Sequence, residues 1–123
     1  MRDARRLHRR ILSFALGLPG AYEDHPWGEV VAKVNKKVFV FLGSEEHRDT
    51  HGMTVKLDES LEQALASPGA TPAGYGLGKS GRVSIRFAAD TPPARVLEDW
   101  VEESYRRVAP KRLVAELDAQ RAH

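Results

Sequence analysis

A chain of 123 residues fits one domain, residues 1–123, and is large enough to bury a core without staples. It has no cysteine, which excludes disulfides, thiolate metal sites and cysteine nucleophiles, and no apolar run near the ~20 residues that span a bilayer. The net charge is +2, but five arginines against Asp3 put +4 into residues 1–12 and leave −2 for the rest, a weaker basic field than a domain that wraps nucleic acid usually carries.

In chain order, Leu7, Ile11, Phe14, Ala15 and Leu18 share one stripe of an amphipathic helix, with arginines mostly on the other face and an exit near Gly17. Residues 19–28 are turn-rich. Residues 29–34 and 38–42 read as two strands joined through Asn35-Lys36, a tight hairpin because Asn tolerates the left-handed region. One residue of loop length decides whether Phe39 and Phe41 or Val38 and Val40 face the core. After a polar loop over 43–51, Met53, Val55 and Leu57 alternate with polar residues in a third strand. Asp58 is a good N-cap for a short helix to about Ala66, and Ser67 to Pro72 breaks it. Residues 73–81 are Gly-rich. Val83, Ile85 and Phe87 alternate with Arg82, Ser84 and Arg86 in the clearest half-buried strand. Thr91-Pro92-Pro93 starts a long helix with Thr as cap, and Pro110 restarts a final one. Strands and helices segregated in this way predict an α+β fold, an antiparallel sheet with helices packed on one face.

Several stretches imitate chemistry. Gly76-Leu77-Gly78-Lys79-Ser80-Gly81 matches a nucleotide-binding glycine pattern, but a strand follows where the phosphate-binding helix should start. His47 and His51 flank Asp49 without a third metal ligand. His25 with Glu23 or Asp24 could serve as an acid–base pair, yet no nucleophile elbow or triad is specified. No catalytic residue, metal site or cofactor is predicted. The surviving constellation is Lys33, Lys56, Lys79, Arg82 and Arg86, on or beside strands, with Trp27 near. On neighbouring strands these cations would form a basic face able to contact phosphates, with Trp27 to stack on a base.

Residues 18–42, with Pro26-Trp27-Gly28 at their centre, resemble the opening of MmcQ/YjbR family proteins. Val55-Lys56-Leu57, Gly76 to Gly81 and Glu102-Glu103-Ser104-Tyr105 agree with the same family, and the resemblance spans roughly residues 7–117. It implies a CyaY-like two-layer α+β sandwich and DNA binding through a double-wing arrangement of the sheet. The family usually has Trp after Gly81; here Arg82 replaces it, exchanging an aromatic for a charge that seeks phosphate. A frataxin-style iron site would want an acidic first helix, and this one is basic. The expectation is therefore a cytoplasmic, non-enzymatic, monomeric binding module that contacts DNA with low sequence specificity, through the basic first helix or through Lys33, Lys56, Lys79, Arg82 and Arg86 with Trp27, and has no membrane partner. The alternative is a protein-interaction or small-ligand module built around Tyr22, His25, Trp27 and Tyr75.

Overall fold

The computed structural model describes residues 4–44, 52–72 and 81–122, apart from the side chains of Trp27 and Ser44. The order is α1 (Ala4–Leu16), β1 (Tyr22–Asp24), one 3-10 turn (Pro26–Gly28), β2 (Glu29–Val34), β3 (Lys37–Ser44), β4 (Gly52–Lys56), α2 (Leu61–Leu65), β5 (Ala70–Pro72), β6 (Arg82–Arg86), α3 (Ala94–Val108) and α4 (Lys111–Arg121). The strands form a single antiparallel sheet in the order β1-β2-β3-β4-β6-β5. All four helices contribute to one core on one face of it, so the fold is the expected two-layer α+β sandwich.

The core follows from the apolar periodicity. Leu7, Ile11 and Ala15 form the buried stripe of α1, and Leu97, Trp100, Val101, Ser104 and Tyr105 that of α3. From the sheet, Val55, Val83 and Ile85 meet them, as strict alternation requires. Asn35 and Lys36 both adopt positive φ, 51° and 67°, closing the two-residue hairpin between Val34 and Lys37. Such a turn matches the right-handed twist of the strands it joins.

The question of which β3 residues face the core has a mixed answer. Lys33 opposes Val38 while Ala32 opposes Val40, so Phe39 is an extra residue, a β-bulge. Phe39 and Val40 are therefore buried consecutively, Phe41 turns to the open face half-buried, and Val38 is 41% exposed.

Four expectations are corrected. The turn-rich connection contains strand β1, and the break after α2 contains strand β5; both are three-residue edges recruited by the ladders of β2 and β6. Asp58 does not cap α2, which starts after Ser60. Thr91 does not cap α3 either; its Oγ accepts from the Ala88 N–H at 2.5 Å, holding the turn before the helix.

The entry to α2 is held instead by Glu103 of α3. Its carboxylate accepts from the N–H groups of Asp58 and Ser60 at 2.9 and 3.2 Å and from Ser60 Oγ at 2.7 Å. Burial pushes this carboxyl upward, but those three bonds and the Arg107 charge outweigh it and hold the group below its ordinary value. A carboxylate with a depressed folded-state pKa stabilises the fold above its unfolded pKa and loses that contribution as pH falls through the folded value. Glu103→Gln should thus cost roughly 1–2 kcal/mol near neutrality. The gap to the natural chain should close in urea titrations as pH falls below about 4. A gap independent of pH would mean that the charge of Glu103 contributes nothing.

Candidate nucleic-acid interface

One face of the sheet carries the helices; the other is open, and pairing register decides which side chains share it. Lys56 pairs with Arg82, Thr54 with Ser84, and Gly52 with Arg86. Directly opposed residues project to the same face. Since Val55, Val83 and Ile85 enter the core, Lys56, Arg82 and Arg86 occupy the open face together. Thr54 Oγ1 and Ser84 Oγ lie 2.7 Å apart between them, tying the two strands. Among the described residues, no carboxylate pairs with Lys56, Arg82, Arg86 or the nearby Lys37.

The structure divides the predicted constellation. Lys56, Arg82 and Arg86 come together on β4 and β6. Lys33 does not join them: on β2 it pairs with Asp24 of β1, Nζ to Oδ2 at 2.6 Å. That hydrogen bond lowers the Asp24 pKa and raises that of Lys33, as expected for a mutually satisfied pair. Lys79, Tyr75, His47, Asp49, His51 and Gly76–Ser80 lie outside the described residues, as does the side chain of Trp27. The Trp27 backbone sits in the 3-10 turn before β2, at the opposite edge from β6. Among the described residues the open face is thus bipolar, with Asp24, Glu29 and Lys33 in one half and Lys56, Arg82 and Arg86 in the other. The arginines of α1 belong to the helix layer, on the far side of the sheet, where Arg10 pairs with Glu98 of α3 at 3.0 Å.

A cleft of about 690 Å³ adjoins the cationic half, and the sequence reading did not anticipate it. Its origin is a parting of strands. The β3–β4 ladder consists of Val40↔Val55 and Phe41↔Thr54, and stops where Phe39 and Lys56 would face each other next. There the Ser104 hydroxyl wedges in from α3: it accepts from the Lys56 N–H at 3.0 Å and donates to the Phe39 carbonyl at 2.5 Å. One side chain so replaces a strand-to-strand bond, satisfying a buried donor and acceptor while holding the strands apart. Below it, Arg107 Nη1 donates to the Leu57 carbonyl at 2.7 Å. Val38, Phe39 and Phe41 supply apolar walls, with Lys37, Lys56 and Arg82 around them. Ser104 and Arg107 stand three residues apart on α3, a spacing that places both on the same helix face; that was the available signal.

The alternative site fares differently. Tyr22 is exposed on edge strand β1, and His25 Nε2 lies 2.7 Å from Glu23 Oε2, both side chains open to water at 53% and 35%. This pair stands on the edge beyond β2, apart from the cleft. Among the described residues no cluster of three or more His, Asp or Glu could hold a metal ion, and no helix is long and apolar enough to cross a membrane.

Comparison with known proteins places this architecture. No curated protein matches the chain. A crystal structure of a Deinococcus radiodurans protein with a DUF419 domain is similar over 84% of this chain and 78% of its own, with 26% identity and a TM-score of 0.66. The YjbR family model matches residues 16–107, from the end of α1 to the turn of α3 that carries Ser104 and Arg107, and the chain belongs to the YjbR family.

Proposed function

We propose that the protein is a non-enzymatic binding module that takes DNA on the open face of its sheet, chiefly through backbone phosphates and with low sequence specificity. The observation that carries this reading is the register of β4 and β6, which gathers Lys56, Arg82 and Arg86 on the face opposite the helices, with no carboxylate partner among the described residues. Some cations elsewhere are matched to acids, Lys33 to Asp24, Arg10 to Glu98, Arg106 to Glu102 and Asp118, and Arg121 to Glu102; what sets Lys56, Arg82 and Arg86 apart is that they share one sheet face. Unpaired cations grouped on one face supply the counterion-releasing contacts that dominate non-specific affinity. The −2 charge of the chain beyond residue 12 limits that affinity, so the expected dissociation constant is ~10⁻⁴–10⁻⁶ M at physiological salt. A water-exposed His25–Glu23 pair without a desolvated partner gives no support to acid–base catalysis.

The test is fluorescence anisotropy of labelled DNA across a salt series. Each phosphate neutralised contributes about −0.9 to the slope of log affinity against log salt on B-DNA. The Arg82→Ala, Arg86→Ala double variant should flatten the slope by about two and weaken binding at least about tenfold at low salt. Absence of binding by the natural chain at low salt and tens of micromolar protein would overturn the reading.

A further inference from the structure

We propose that the cleft between β3 and β4 seats one unpaired base of a single-stranded nucleic acid, stacked against Phe41, with the adjoining phosphate held by Lys37, Lys56 and Arg82. This rests on the nucleic-acid reading above and adds what that reading lacks, a place for a base and a preference between strand forms.

Three features select this occupant. The first is charge. Lys37, Lys56, Arg82 and Arg107 line the cleft and, among the described residues, no carboxylate does, which favours an anionic ligand. The second is the apolar wall. Val38 is 41% exposed and Phe41 is half-buried, an exposed aliphatic and a partly exposed aromatic lining the same cleft, so the ligand also has an apolar surface. A volume of about 690 Å³ lies within the range of sites that enclose small-molecule groups. A base carried beside its phosphate combines both requirements, and bases stack on aromatic faces whatever their sequence.

The third feature favours a strand over a free nucleotide. A second depression of about 270 Å³ lies across the sheet, lined by Thr71, Ser84 and Arg86. Phe41 and Thr54 line both hollows and form the ridge between them. Two neighbouring hollows, each with its own cation, provide for successive nucleotides of one chain. A duplex satisfies only the phosphate contacts, because its bases are stacked within the helix and reach the floor at Ser104 only by flipping out.

The experiment compares a single-stranded oligonucleotide bearing one 2-aminopurine with the same sequence as a duplex, using the full chain. The expected result is binding of the single strand about tenfold or more tighter than the duplex, with a change in 2-aminopurine emission on binding. Phe41→Ala should weaken single-strand binding about tenfold more than it weakens duplex binding. If that variant fails to fold, the emission of the natural complex still decides. Equal affinity for both forms with unchanged emission overturns the base-seating inference and leaves phosphate contact intact. Failure of both forms to bind overturns both. A free nucleoside monophosphate that displaces the oligonucleotide at equal phosphate concentration assigns the cleft to a mononucleotide and overturns the strand.

Discussion

Replacing Tyr105 by alanine should lower the unfolding free energy by about 3–5 kcal/mol, the range for removing a buried aromatic side chain. Tyr105 has no exposed surface. Its ring meets Phe39 edge-on, with centroids 5.3 Å apart and planes at 83°, an arrangement that adds to the burial itself. Its hydroxyl donates to the Pro19 carbonyl at 2.6 Å and fastens α3 to the connection between α1 and β1. Tyr105→Phe isolates that last contribution; leaving the Pro19 carbonyl without its donor should cost about 1–3 kcal/mol. Burial first, and Glu116 second, raise the pKa of the phenol. A raised pKa here means the neutral form is favoured by folding, so the stabilisation is complete below the unfolded value near about 10 and declines above it. Denaturant titrations of the natural chain and both variants at neutral and alkaline pH would check all three statements. A loss under 1 kcal/mol for Tyr105→Ala would show that the site collapses around the missing ring.

The second large effect is expected at Gly81, where Gly81→Ala should cost about 2–4 kcal/mol. The residue sits at φ +81°, where a side chain strains the backbone. An added Cβ would also strike the Leu57 carbonyl oxygen and approach Arg107 Nη1 at 3.5 Å. The same two backbones are already joined, since the Leu57 N–H donates to the Gly81 carbonyl at 2.8 Å. Relief would require β6 to move away from the end of β4, carrying Arg82 with it and loosening the bond from Arg107 to Leu57. If the open face takes DNA as proposed, Gly81→Ala should also weaken that binding where the variant remains folded, which anisotropy measured well below its thermal midpoint would register. Retention of both stability and affinity would mean that the crossing has more slack than its contacts imply.

Legibility in the sequence tracked how local the cause was. Alternation from Arg82 to Phe87 and the pair Asn35-Lys36 report on their own backbone, and strand and hairpin appear where the pattern puts them. Edge strands β1 and β5 are three residues long, largely exposed, and in one case end on Pro72; nothing in their composition indicates a strand, and only pairing with a longer neighbour makes them one. The cationic half of the open face was partly legible, because Lys56, Arg82 and Arg86 fall at outward-alternating positions. What alternation cannot reveal is the order of strands, and that order carries Lys33 to the opposite half beside Asp24. The cleft was not legible. It depends on a bulge at Phe39 and a hydroxyl arriving from a helix 65 residues later, and Ser104 in isolation reads as a small residue in a helix stripe.

The last turns of α3 have a consequence for the cost of binding. Glu103 holds the entry to α2, Ser104 separates β3 from β4, Tyr105 fastens the α1–β1 connection, and Arg107 holds the end of β4. Four neighbouring side chains thus anchor four distant stretches of chain, and no one anchor can shift without straining the others. The floor beneath the strand parting is accordingly set before any ligand arrives. Little conformational entropy of the protein remains to be lost there on association, so ordering of the site subtracts little from the affinity of whatever contacts that floor.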